Sequence, residues 1–150
     1  MDEHYLEDLK VGDRFVSKRY PVTAEAIVNF ARQFDPQPFH LDAAAAGASV
    51  FRGLAASGWH TAAMTMNLFV TSSLKLAGGS IGLGVDELRW PRPVRPGDLL
   101  QLTTEILEVR PSRTKPDHGI IRIRNTTTNQ DDAVVQSFMA NVMVRRRPAA

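Results

Sequence analysis

The spacing of apolar positions along the chain changes near Ile81, and the change divides the molecule into a helical part and a strand part. Before it, Ala24, Ile27, Val28, Ala31 and Phe34 recur at helical spacing, which predicts a helix laying one apolar face on a core. Thr23 is placed to cap its start and Glu25 to favour its first turn. The helix must end at Asp35, because Pro36 disfavours the α region for the residue before it. From Gly58, the positions Trp59, Ala62, Ala63, Met66, Phe69, Val70 and Leu74 again keep helical period, while Met64 and Leu68 add apolar area elsewhere. A helix apolar nearly all round is expected to be central. A short alanine-rich helix, Asp42 to about Ala46, is predicted between the two, capped by Asp42 and ended by Gly47.

After Ile81 the period becomes that of strands. Ile81, Leu83 and Val85 alternate, then Leu88 and Trp90 alternate in the other phase, so a bulge is expected near Asp86 and Glu87. Leu100 to Ile106, Ile120 to Arg124 and Val134 to Val144 follow as long strands with short connections, and Arg145 to Ala150 reads as a frayed basic tail. A weaker alternation from Val11 to Tyr20 adds an N-terminal strand. The pattern predicts one α+β domain over residues 1–150: an antiparallel sheet wrapped around a long central α-helix.

Composition narrows the function. With 18 Lys and Arg against 16 Asp and Glu, the net charge is only +2, so no nucleic-acid partner is implied. The absence of cysteine removes thiolate chemistry and a disulfide framework, and four scattered histidines make no metal site. The acidic start lacks an apolar targeting core, which points to a cytoplasmic protein. Residues Gly53 to Leu74 carry no Asp, Glu, Lys or Arg, yet their serines, threonines, Asn67 and His60 are too polar for hydrocarbon, so no membrane partner is expected.

The candidate chemistry lies in the stiff arm Phe34-Asp35-Pro36-Gln37-Pro38-Phe39-His40-Leu41-Asp42 between two helices. Asp35 and His40 could take and deliver protons, and the Gly58 amide would open the central helix, where an oxyanion is favoured and a missing Cβ permits close approach. A geometric condition applies. As straight polyproline helix, the arm would hold the two Cα atoms roughly 15 Å apart, so it must bend at Pro36-Gln37-Pro38 for the pair to share a water. Taken alone, Asp35 before proline is more commonly a turn residue. His60 is expected to be a hydrogen-bonded core histidine, and His4 and His118 to be solvated. Ser57 lies outside any Gly-x-Ser-x-Gly elbow and is a candidate cap or substrate contact.

The arm, together with Ala55-Ala56-Ser57-Gly58-Trp59-His60-Thr61-Ala62-Ala63 and the turn Pro93-Val94-Arg95-Pro96-Gly97-Asp98, resembles the hydratase motif of MaoC-like dehydratases and (R)-specific enoyl-CoA hydratases. The likeness runs from about Val11 to Val144. It departs from the usual motif at Phe34, at Gln37 in place of Asn, and at Ser57 in place of His. The resemblance implies a hot-dog fold, a homodimer, no cofactor, and reversible hydration of 2-enoyl thioesters of coenzyme A or acyl carrier protein in fatty acid metabolism. Carried over by position, Asp35 and His40 form the catalytic pair, their acid and base roles left open, and Gly58 supplies the oxyanion amide. Gln37, Phe39, Ser57, Phe34 and Phe51 become candidate substrate contacts. A thioesterase on the same fold and a noncatalytic acyl-binding or assembly subunit are the alternatives.

Overall fold

Residues 2–149 are described by a computed structural model. A turn centred on Gly12 (φ 95°) delays the first strand, so β1 runs Arg14–Pro21 and does not open at Val11 as the alternation suggested. Helix α1 follows at Ala24–Phe34, with the Thr23 hydroxyl accepting from the Ala26 amide at 3.1 Å. Two short helices come next, α2 at Pro38–Leu41 and α3 at Ala43–Gly47; the Asp42 carboxylate caps α3 by accepting from the Ala45 amide at 3.0 Å. Helix α4 spans Gly58–Val70. It stops short of Leu74 because the Thr71 and Ser72 hydroxyls donate to the carbonyls of Asn67 and Phe69 and turn the chain out of the helix.

The strands β2 (Ile81–Arg89), β3 (Leu99–Pro111), β4 (His118–Thr128) and β5 (Val134–Arg145) join β1 in one antiparallel sheet of order β1-β3-β4-β5-β2. The alternation in β3 and β4 sends Leu102, Ile106, Ile121 and Ile123 to the face that meets Met64, Leu68 and Phe69 of α4, forming the core. The expected bulge in β2 is present between Asp86 and Arg89, with Glu87 at φ 52°, and a second irregularity sits at Gly84.

Two further expectations change. Burial of α4 is not all round: Trp59, Met66 and Val70 face outward, and the edge strand β2 exposes Ile81, Leu83 and Val85 beside them. Nor is the tail frayed at Arg146 and Arg147, while Ala150 lies outside the described residues. Arg146 and Arg147 pair with Glu7 and Asp8, Arg147 lies over the Tyr5 ring, and the Arg146 amide donates to Asp117. No helix among the described residues is long and apolar enough to cross a membrane.

Candidate active site

The stiff arm bends as required. The α1 helix ends with the Asp35 amide on the Ala31 carbonyl, Pro36 forbids continuation, and Pro38 starts α2 as a first helical residue. The single turn of α2 carries the His40 amide back onto the Gln37 carbonyl at 3.0 Å. As a result Asp35 Oδ2 and His40 Nε2 lie 3.3 Å apart in one protomer.

Both groups are held from behind. His40 is buried, and its Nδ1 sits 2.6 Å from the Ala55 carbonyl oxygen. A carbonyl only accepts, so Nδ1 carries the hydrogen and Nε2 is the atom turned to Asp35. The Gln37 amide donates to Asp35 Oδ1 at 2.5 Å. Burial raises the Asp35 carboxyl, but the Ser57 hydroxyl, the Gln37 amide and the His40 ring outweigh it and hold the group below the usual carboxylate range.

The second half of the site is the start of α4. Ser57 is fully buried and caps the helix, its hydroxyl accepting from the Trp59 amide at 3.2 Å while its carbonyl takes the Thr61 amide at 3.0 Å. The Gly58 amide is left at the positive end of the helix with no acceptor among the described residues. A cavity of about 510 Å³ opens there, lined by His40, Phe51, Gly58, Thr61, Trp90 and Arg95 among others. The glycine has a further reason: a Cβ on Gly58 would come within 2.6–2.8 Å of the Trp90 indole.

The other sequence candidates distribute around this centre. Phe51 lines the cavity and packs against Phe39, and both rings touch His40. Gln37 is exposed except for its bond to Asp35, and Phe34 is 68% exposed beside Phe30, away from the cavity lining. His60 corrects an expectation: it is buried, but its Nδ1 has no partner among the described residues and its ring stacks on Phe30 at 4.7 Å. Burial there lowers its pKa. His4 is likewise not solvated, since its Nδ1 is buried with no partner among the described residues and its ring meets Phe15 edge-on.

Two residues of the site were not among the sequence candidates. The Arg95 guanidinium donates to the carbonyls of Phe51, Gly53 and Leu54, holding the loop that ends at Ala55 and so the acceptor that orients His40. Trp90 donates from Nε1 to Gln136 at 2.8 Å, Gln136 donates to Thr65 at 3.0 Å, and Thr65 meets Thr127 at 2.8 Å. All of these bonds cross large sequence separations, where no local pattern can register them.

The geometry has close counterparts. The family described as MaoC like domain matches residues 9–129. The chain belongs to the MaoC-like family. A MaoC-like dehydratase from Rhodospirillum rubrum superposes with a TM-score of 0.93 at 56% identity, over 97% of this chain and 99% of that one. An R-hydratase from Pseudomonas aeruginosa, solved without ligand, gives 0.79 at 28% identity, over 95% and 86% of the two chains. The Bacillus subtilis protein YdeM is 29% identical over 141 residues, 94% of this chain and 99% of its own length. With the two solved structures the chain shares the hot-dog fold expected of it: an antiparallel five-stranded sheet packed on α4.

Proposed function

We propose that this MaoC-like protein catalyses the reversible hydration of 2-enoyl thioesters of coenzyme A or acyl carrier protein to (R)-3-hydroxyacyl thioesters. The observation that carries the reading is the 3.3 Å approach of Asp35 Oδ2 to Nε2 of His40, whose ring lines the cavity that also holds Gly58. In the hydration direction, Asp35, held anionic, takes a proton from water as the hydroxyl bonds to C3 of the enoyl group. The Gly58 amide receives the enolate oxygen that develops on the thioester carbonyl. His40, which starts the step with a proton on Nε2 as well as on Nδ1, delivers the Nε2 proton to C2. Asp35 is then protonated and His40 neutral, and transfer across their direct contact restores both for the next turnover. The (R) product is supported by the R-hydratase among the structural neighbours.

A second copy of the chain completes the molecule in this reading. The edge strand β2 and the outer face of α4 present Ile81, Leu83, Val85, Trp59, Met66 and Val70 side by side, an apolar strip that pairing of two β2 edges would cover. Light scattering should give the mass of a dimer.

Assay of the wild type with a series of 2-enoyl-CoAs tests the chemistry. Loss of the conjugated absorbance with the thioester intact, and an (R)-alcohol as product, is the expected outcome. Release of free thiol would instead indicate a thioesterase, and binding without turnover a noncatalytic acyl-binding subunit.

A further inference from the structure

Two cavities flank the start of α4, and a pair of tryptophans stands between them. The first is the 510 Å³ cavity that holds His40 and Gly58, with Trp90 as one wall. The second, about 250 Å³, lies between α4 and the β2 side of the sheet, lined by Trp59, Ala62, Met66, Phe69, Leu88 and Phe138 among others. Its lining is almost wholly apolar, whereas the first cavity carries Arg92 and Arg95. Trp59 and Trp90 meet edge to face at 5.3 Å, so the boundary between the two spaces is made of indole.

Trp90 is held unusually firmly for a side chain that is 40% exposed. Its N–H is bound by Gln136, which is fully buried and is itself fixed by Thr65 of α4, which in turn is tied to Thr127 of β4. One face of the ring occupies the space where a side chain at position 58 would stand. Rotation of the indole would break the Gln136 bond and leave a buried amide oxygen unpaired, which is costly.

We propose that Trp90, locked by Gln136 and braced by Trp59, is the specificity-determining wall of the acyl subsite: it closes the catalytic cavity against the apolar cavity behind it and restricts the protein to short acyl chains. A short enoyl group fits beside the Gly58 amide with the indole at its far end. A longer chain would have to pass through the plane of the Trp59–Trp90 pair to reach apolar surface. The inference rests on the acyl-thioester reading above and names the substrate class within it.

The test pairs binding with turnover. Saturated butyryl-, hexanoyl- and octanoyl-CoA are titrated calorimetrically into the wild type and into Trp90→Ala, and kcat/KM is measured for the matching 2-enoyl-CoAs. The wild type should bind and hydrate the four-carbon substrate better than the eight-carbon one. In Trp90→Ala the octenoyl-to-butenoyl ratio of kcat/KM should rise at least about ten-fold, since each methylene entering an apolar cavity is worth about four-fold in affinity. Adding Ala62→Phe, which fills the second cavity, should bring the ratio back toward the wild-type value, a reversal that a merely structural tryptophan would not produce. If Trp90→Ala does not fold, Trp90→Leu should move the ratio in the same direction by a smaller factor.

A wild type that already prefers octanoyl-CoA, or a folded Trp90 variant with an unchanged ratio, overturns the proposal. A wild type that binds the acyl-CoAs with the short-chain preference but hydrates none defeats the hydratase reading while upholding the wall. Hydration together with binding that is indifferent to chain length does the reverse.

Discussion

The two halves of the site are built by opposite means. The Asp35–His40 half is local: two prolines and one helical turn bring together groups that lie close in sequence, and no distant strand takes part in the bend. The Gly58–Trp90 half is made across the fold. Its glycine is shaped by a tryptophan after β2, which is held by a glutamine on β5 and threonines on α4 and β4. Chemistry is concentrated in the first half and shape in the second. A change in the first should therefore remove turnover and spare the fold, whereas a change in the second should affect both.

The largest separation of the two is expected from Asp35→Asn. Loss of the base should lower kcat by about 10³-fold, with a denaturation midpoint close to that of the wild type, because the substitution keeps the side-chain size at the end of α1. Unchanged kcat would take Asp35 out of the mechanism. Gly58→Ala should mix the two effects: the new methyl meets the Trp90 ring, so stability should fall by about 1–3 kcal/mol. The shifted amide should also cost on the order of 10²-fold in kcat. A Gly58→Ala protein of wild-type stability would mean that the indole yields freely.

Two smaller effects probe the groups behind each half. His60→Leu removes a buried ring nitrogen without a partner and should raise stability by about 1 kcal/mol at neutral pH in urea titrations. Because burial lowers the His60 pKa, the unfolded chain binds a proton that the fold resists, so wild-type stability declines as pH falls below 6.5, the ordinary histidine value. The Leu variant should lose that part of the decline. Gln37→Leu removes one of the donors that depress Asp35, so the Asp35 pKa should rise toward the ordinary value and the acid limb of the kcat/KM profile should move to higher pH. A limb that stays in place would assign it to another group.

This contrast also accounts for what could be read from the sequence. Pro36 and Pro38 act on their neighbours' backbone, so the end of α1, the bend and the approach of Asp35 to His40 followed from residues in view of one another. The β2 bulge was legible for the same reason, as a change of phase within a few residues. Trp90 was legible only as a strand residue, because Gln136 and Gly58 become its neighbours through strand pairing and packing. His60 was misjudged in part: its burial followed from helical spacing, but its lack of a partner depends on Phe30 of another helix. The tail at Arg146 and Arg147 looked frayed because its acidic partners lie at the opposite end of the chain.

The tryptophan pair has an optical consequence. The chain contains two tryptophans, and they touch each other at the cavity. All indole emission therefore comes from one place, and two rings at 81° and 5.3 Å should couple to give a split band in circular dichroism. Quenching on addition of a thioester would report occupancy without any label. A melt followed by emission would watch the wall of the cavity, while the backbone signal watches the sheet, so the interval between the two transitions would measure whether the site loosens before the fold does.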